Sequence, residues 1–388
     1  MGSQEAMSEK ADLVVRRPLA YERRHALNAI CPYFTMFPLE YPLKVLRRHV
    51  ASSPVVIDPF CGRGTTLYAA RLLGLGARGV DTSPVAVAIA QAKLCAAEPD
   101  DALDLARRLL RQHRSAVVPT SSFFRRAFHP ETLEQICRLR LGLLRLGRNS
   151  AAAMLLRAGM LGCLHGPRSK HLKNQAYFSH QMPRTFASKP RYSLRYWRMH
   201  PGAAPRVDTV TVLAQKLSRL TTSSPYRRRS YASVYLGDAR SPGALPQSAR
   251  DYSVVVTSPP YFGMRTYLED QWLRHWFLGG PDCPEYGVSQ QLDHVDKTSF
   301  VESLGAVWRN MASTKANRLD MYVRLGIIPS ARVDARQLMA ESLEASEVGW
   351  NRLSASPANT ASSGRRQAAQ MSARSKACIE YDFHVSAR

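Results

Sequence analysis

The chain has 388 residues, 45% of them hydrophobic, and carries a formal charge of +24, enough for one large domain or for a core domain with an insertion. A charge of that size is costly unless it meets a polyanion, so nucleic acid is the expected partner class. A membrane is excluded from the expectation, because no apolar stretch approaches the roughly 18 residues of a spanning helix.

Residues 1–25 read as a flexible basic lead-in, and the polar start, Met1 to Asp12, is not a signal peptide, so a cytoplasmic location is expected. Aromatics and prolines follow at Tyr33, Phe34, Phe37, Pro38 and Tyr41, then the helix-like Leu43-Lys44-Val45-Leu46. The β-branched run Val55-Val56-Ile57 reads as a buried strand. A glycine turn leads from it into a helix from Thr65 to Leu73. A second strand near Ala77 to Val80 ends at Asp81. Ser83-Pro84 opens the next helix, with serine as cap and proline in its first turn. This β-α-β-α order is the first half of a doubly wound sheet.

From 96 to 230 helical periodicity dominates, through Leu103 to Leu110, Leu133 to Leu146, Ala151 to Leu164 and Val207 to Leu220. An irregular segment is expected from Gly166 to Pro205. Val234-Tyr235-Leu236 and Ser253 to Val256 return to the sheet as strands three and four. Leu319 to Ile328 reads as a fifth strand and Asp334 to Ala345 as a helix. Trp350 to Ser356 and Cys378 to Val385 read as a final antiparallel pair, around an Ala/Ser/Arg-rich mobile loop at 358–376. The expected fold is α/β, a seven-stranded mixed sheet with helices on both faces and a mostly helical insertion. Its expected parts are the lead-in at 1–25, a first sheet segment at 26–95, the insertion at 96–230 and a second sheet segment at 231–388. No internal repeat is present.

Two short motifs stand where parallel strands end. Asp58-Pro59-Phe60-Cys61-Gly62-Arg63-Gly64-Thr65-Thr66 follows the first strand, and Thr257-Ser258-Pro259-Pro260-Tyr261 follows the fourth. Ligands of open α/β sheets bind outside those ends. The glycines let the backbone turn sharply and approach a ligand closely. The helix that follows offers amide N–H groups to an anionic group. Asp81, after the second strand, is placed to accept from two ribose hydroxyls. Asp238, in Gly237-Asp238-Ala239-Arg240, is placed to accept from an adenine amino group. The second motif suits a planar base. An exocyclic amino group is a poor nucleophile, because its lone pair is delocalised into the ring. Ser258 Oγ and the Pro259 carbonyl can accept its two hydrogens and localise that pair. The prolines stiffen the loop, and Tyr261 can stack on the base. Pro-Pro alone is a common turn; the glycine motif in the same chain gives it weight.

Together these motifs resemble the DNA amino-methyltransferases of the cytosine-N4 and adenine-N6 family. The resemblance implies a Rossmann-like methyltransferase fold, S-adenosyl-L-methionine as cofactor, and double-stranded DNA as partner with the target base flipped. It implies a cofactor site from Tyr33, Phe37, Pro38, Asp58, Pro59, Phe60, Cys61, Gly62, Gly64, Thr65, Thr66, Asp81, Ser83, Asp238 and Ala239, and a catalytic loop of Ser258, Pro259, Pro260 and Tyr261. Such enzymes place target recognition in an insertion like 96–230. Serine first in the tetrapeptide is typical of cytosine-N4 enzymes, aspartate or asparagine of adenine-N6 enzymes, so cytosine is favoured. Cytosine-C5 chemistry needs a Pro-Cys nucleophile, and none occurs here. Restriction-modification or another defence duty, with or without further subunits, is compatible with the family. Alternatives are an RNA base amino-methyltransferase and a DNA-binding defence subunit with decayed activity.

From Gln135 to Val207 there is no Asp or Glu, while fourteen Lys and Arg occur. The candidate DNA-binding residues there are Arg168, Lys170, Lys173, Arg184, Lys189, Arg191, Arg195 and Arg198, interleaved with Tyr177, Phe178, Phe186, Tyr192, Tyr196 and Trp197. Basic groups position phosphates, while Asn174, Gln175 and Gln181 are candidate readers of base edges. Leu268, Trp272, Leu273, Trp276 and Phe277 follow the catalytic loop at helical spacing and read as core. His180 and His275 read as structural. Cysteines at 31, 61, 95, 137, 163, 283 and 378 form no C-x-x-C pair. Reduced thiols and no metal site are expected.

Overall fold

The computed structural model describes residues 26–33, 38–146, 150–166, 176–180, 182, 189–220, 231–263, 269–285, 292, 296–327, 331, 333–351, 353–358 and 379–388. The chain forms two compact units, one of 35–94, 228–268 and 286–388, the other of 1–34, 95–227 and 269–285. The helical unit thus takes in 26–34 and 269–285, two segments that the sequence alone assigns to the sheet.

The first unit holds a seven-stranded sheet in the order β3-β2-β1-β4-β5-β7-β6. Its strands are β1 (Val55–Asp58), β2 (Gly76–Asp81), β3 (Ala232–Leu236), β4 (Val254–Thr257), β5 (Leu319–Ile327), β6 (Ser354–Pro357) and β7 (Ile379–Ala387). β1 to β5 pair in parallel. β7 runs antiparallel to β5 and β6 antiparallel to β7. This is the expected α/β fold of Rossmann-like methyltransferase type. The two central strands read Val-Val-Ile-Asp and Val-Val-Val-Thr because helices cover both their faces, which favours unbroken β-branched runs over alternation. The strand order reverses between β1 and β4, where open α/β sheets bind their ligands.

A helix from Lys297–Ala312 covers one face, although no expected element corresponds to it. Asp296 caps it by accepting from Ser299 N–H at 2.7 Å, a standard start signal. Its Trp308 is fully buried, and Nε1 donates to Ser342 Oγ at 2.9 Å on the helix Ala335–Glu344.

The second unit is built from helices at Pro99–Gln112, Ser122–Ala127, Pro130–Arg145, Ala151–Cys163, Pro190–Met199, Thr209–Ser218 and Trp272–Phe277. Phe124 meets Trp276 at 4.7 Å and Phe123 meets Trp272 at 5.1 Å between ring centres. Trp272, Leu273, Trp276 and Phe277 are buried, as their spacing predicts; Leu268 lies outside the described residues. The expected irregular stretch from Gly166 to Pro205 contains the helix Pro190–Met199. Proline sits in its first turn and the i, i+4 pair Ser193 and Trp197 is buried. A two-residue apolar stripe in a basic helix is too narrow to register as periodicity. The expected loop at 358–376 lies outside the described residues apart from residue 358.

Candidate active site

The two motifs meet at neighbouring strand ends. Val56 and Ile57 of β1 pair with Val254 and Val255 of β4. Thr257 Oγ1 donates to Asp58 Oδ1 at 2.6 Å, and Thr66 Oγ1 donates to the Val256 carbonyl at 3.2 Å. Phe60 N–H also donates to Asp58 Oδ1 at 3.1 Å. Asp58 Oδ2 is buried with no hydrogen-bond partner among the described residues. Burial pushes the Asp58 carboxyl up to about 6, although the bonds from Thr257 and Phe60 and the nearby Thr66 hydroxyl oppose the rise.

The glycine loop is tied to β2. Cys61 N–H donates to the Val80 carbonyl at 3.0 Å, and Gly64 N–H to the Cys61 carbonyl at 2.7 Å. Asp81 receives Gly62 N–H on Oδ2 and Ser83 N–H on Oδ1, both at 2.8 Å. Burial pushes Asp81 up to about 6 against those two bonds. Each carboxylate oxygen has a second lone pair, so Asp81 keeps acceptor capacity. At Gly62, φ is +49° and the nearest atom to an added Cβ is the Phe60 carbonyl at 4.0 Å, so the space beside the loop is open. The helix Thr65–Leu72 begins there, and its first N–H groups have no intrahelical acceptor. A nucleoside with an anionic tail fits this donor and acceptor set.

Other expected cofactor residues are placed as follows. Pro59, Thr65 and Thr66 are buried and Phe60 is half-buried. Ser83 Oγ accepts from Ala86 N–H at 3.4 Å, as the expected helix cap. Cys61 is buried, and burial with Asp81 and Asp58 nearby pushes its thiol well above the ordinary value. It is a packing residue in the loop. Asp238 is engaged by its own neighbour. Arg240 Nε and Nη2 fork onto it at 2.9 and 2.6 Å. Burial acts to raise the Asp238 carboxyl, but the Arg240 bonds prevail and hold it low. Ala239 is buried, and its carbonyl accepts from Asn310 Nδ2 at 2.9 Å. Pro38 is half-buried ahead of the helix Glu40–Arg47; Tyr33 is half-buried and belongs to the helical unit; Phe37 lies outside the described residues.

In the second motif Ser258 and Pro260 are half-buried and Pro259 is buried. Tyr261 is 8% exposed, and its hydroxyl donates to Glu380 Oε1 on β7. Thr257 and Glu380 are absent from the expected site. Thr257 was readable as the residue that ends the strand beside the tetrapeptide. Glu380 had only its place opposite the apolar alternation of the last strand.

Among the candidate DNA contacts, Arg191, Arg195 and Arg198 lie exposed on the helix Pro190–Met199, with Tyr192 57% exposed beside them. Lys189 is exposed and pairs with Asp270 at 3.3 Å. Arg168, Lys170, Lys173, Arg184, Asn174, Gln175, Gln181 and Phe186 lie outside the described residues. Phe178 and Trp197 are buried and Tyr177 is half-buried. His180 stacks on Trp197 at 5.5 Å. Three arginines of the acid-free run hold helix ends instead. Arg138 donates to the Leu110 and His113 carbonyls, Arg140 to Trp276 and Gly280, and Arg157 to Leu143. Among the described residues no group of three or more His, Cys, Asp and Glu is placed to hold a metal, and no helix is long and apolar enough to cross a membrane.

The family of N6/N4 methyltransferases described as DNA methylase matches residues 12–92. The Type II methyltransferase M.MjaII of Methanocaldococcus jannaschii is 37% identical over 73 residues, 19% of this chain and 14% of that protein. The chain therefore matches a small part of that relative's length. Two structures of the rRNA methyltransferase aviRa from Streptomyces viridochromogenes are similar at 13% and 14% identity. The first is matched over 96% of this chain and 94% of that one, with a TM-score of 0.38. The second is matched over 80% and 83%, with a TM-score of 0.32. The fold assignment rests on the strand order and not on these two.

Proposed function

We propose that this chain, an amino-methyltransferase of the N4/N6 DNA family by its residues 12–92, methylates an exocyclic amino nitrogen in duplex DNA, cytosine N4 in preference to adenine N6. The observation that carries this reading is the meeting of the glycine loop and the Ser-Pro-Pro-Tyr loop at adjacent strand ends, joined by Thr257 to Asp58 and Thr66 to Val256. S-adenosyl-L-methionine is the methyl donor and supplies an electrophilic methyl carbon on its sulfonium. Gly62, Gly64 and the first turn of the helix Thr65–Leu72 would hold its anionic end, and Asp81 its ribose. Asp238, turned toward Arg240, would serve the adenine only through its remaining lone pairs. Ser258 Oγ, which has no hydrogen-bond partner among the described residues, and the Pro259 carbonyl would take the two amino hydrogens and aim the nitrogen lone pair. Catalysis of this kind rests on positioning and fixed dipoles.

Arg191, Arg195, Arg198 and Lys189 would track the phosphates, and flipping would bring the base to Ser258. A host-defence duty such as restriction-modification, carried out in the cytoplasm, accords with this activity. The test is incubation with tritiated S-adenosyl-L-methionine and a pool of DNA duplexes, followed by nucleoside analysis of the product. N4-methylcytosine is the expected product. A C5 product overturns the mechanism, and labelling confined to an RNA pool overturns the DNA substrate.

Cofactor binding is expected to depend on pH. The ionised Asp81 accepts hydrogen bonds, and its carboxyl titrates near 6. Affinity should be full above that value and fall by up to about tenfold per unit below it, since binding must then expel a proton. Asp81→Asn should bind more weakly by roughly 1–3 kcal/mol, and should keep only the pH dependence that Asp58, pushed up to about 6 in the same site, supplies. Calorimetry between pH 5 and pH 8 reads both, and unchanged affinity in the folded variant removes Asp81 from the site.

Salt dependence tests the helix Pro190–Met199. Replacing Arg191, Arg195 and Arg198 together by glutamine should lower the slope of log affinity against log salt by about 0.9 for each phosphate that is no longer neutralised. A wild-type slope and affinity would place the DNA surface elsewhere.

A further inference from the structure

Tyr261 does not lie open at the strand end. Its ring packs on Gly326 of β5, where an added methyl group would sit 2.6 Å from the ring carbons. Gly326 and Glu380 are direct register partners in the β5–β7 pair. The ring therefore lies across one strand and its hydroxyl reaches the next, donating to Glu380 Oε1. Two residues along the same face, Arg324 grips Asp382 through bonds of 2.6 and 2.8 Å and stacks on the Tyr41 ring at 4.1 Å. Glu380 Oε2 and Arg324 Nη1 are both buried with no hydrogen-bond partner among the described residues.

A carboxylate in such a place opposes folding, because burial disfavours its charge and only part of its hydrogen-bonding capacity is met. Burial indeed pushes Glu380 upward, while the Tyr261 hydroxyl and the Arg324 charge pull it back. An apolar residue would pack on the ring at no such cost. What the acid adds is direction: it fixes the hydroxyl end of an aromatic ring that stands one residue beyond the diproline.

We propose that Glu380 is a positioning residue for methyl transfer, holding Tyr261 by its hydroxyl and so setting the plane in which the ring meets the target base. The proposal rests on reading Ser258 to Tyr261 as the reacting loop. Gly326 is the floor that admits the ring, and Arg324 favours the charged form of the acid against its burial. Holding the ring in advance removes an orientational cost that the reacting complex would otherwise meet.

The test uses the full chain with Tyr261 labelled as 3-fluorotyrosine, together with single-turnover methyl transfer to duplex DNA. Tyr261→Phe and Glu380→Ala should each slow transfer about tenfold, as expected for one hydrogen bond to a charged group. The double variant should be no slower than either, because both remove the same contact. Glu380→Gln, still an acceptor, should recover most of the rate. Cofactor affinity should stay at the wild-type value in all four. The fluorine resonance should move in Glu380→Ala whether or not DNA is present. Tyr261→Phe keeps the ring packed, so it carries the test if Glu380→Ala fails to fold. Additive losses, an unmoved fluorine resonance, or a glutamine variant no better than alanine would overturn the positioning role. A wild-type chain inert on both DNA and RNA would overturn the methyltransferase reading, and the positioning role with it. A normal wild-type rate beside an unmoved resonance would overturn the Glu380 assignment alone.

Discussion

Gly64→Ala is expected to destabilise the sheet unit by about 3 kcal/mol and to abolish cofactor binding. Gly64 has φ +74°, and a left-handed backbone costs an L-residue roughly 1–2 kcal/mol. An added Cβ would also stand 2.8 Å from Ala90 Cβ and 3.0 Å from Ala90 Cα. Those atoms belong to the helix Pro84–Leu94 and cannot rotate away. Overpacking of this kind adds roughly 1–3 kcal/mol. Gly74→Ala is the control. Its φ is +72°, but nothing lies within 4 Å of the new Cβ, so it should lose only the backbone part, about 1–2 kcal/mol. Chemical denaturation of the two variants reads the difference, which is the packing contribution at the loop. Equal losses would mean that the glycine loop does not need its close approach to Ala90.

Ser258→Ala is expected to slow methyl transfer about a hundredfold, the size seen when one preorganised hydrogen-bonding group at a reacting centre is removed. Cofactor affinity should hardly change, because the hydroxyl acts on the nucleophile. The split matters more than the size of the loss. Asp81→Asn should lower cofactor affinity, and Ser258→Ala should lower the single-turnover rate at saturating cofactor. Stability should be nearly unaffected, since the half-buried hydroxyl has no hydrogen-bond partner among the described residues. A wild-type rate in this variant would sink the catalytic role of Ser258. Loss of cofactor affinity in step with the rate would move Ser258 into the cofactor site.

The strands and the loops at their ends were legible in the sequence for local reasons. A three-residue β-branched run such as Val55-Val56-Ile57 favours burial, and a glycine pair after it needs a turn that other residues resist. Ser83-Pro84 announces a helix by capping chemistry alone, and the bond from Ala86 N–H to Ser83 Oγ is its physical form. The helix Pro190–Met199 escaped notice because only Ser193 and Trp197 face inward. The helix Lys297–Ala312 carries a clear start signal at Asp296, and that signal could have found it.

Charge was legible as a total and not as a distribution. Arg138, Arg140 and Arg157 look no different from Arg191 or Arg195 along the chain. The first three donate to carbonyls at helix ends, while Arg191 and Arg195 lie exposed. Which arginine caps a helix depends on which carbonyls the packing brings within reach, and no spacing rule encodes that.

The sequence by itself determined the α/β class and the strand ends that carry the two motifs. These depend on backbone preferences and side-chain functional groups that act within a few residues. Only the tertiary structure decided that Thr257 would bond Asp58, that Asp238 would turn to Arg240, and that Tyr261 would be held by Glu380 from the last strand. It alone assigned 26–34 and 269–285 to the helical unit. Each of these is a matter of which surfaces and strands lie side by side, and strand register across a sheet is set by the packing of both faces together.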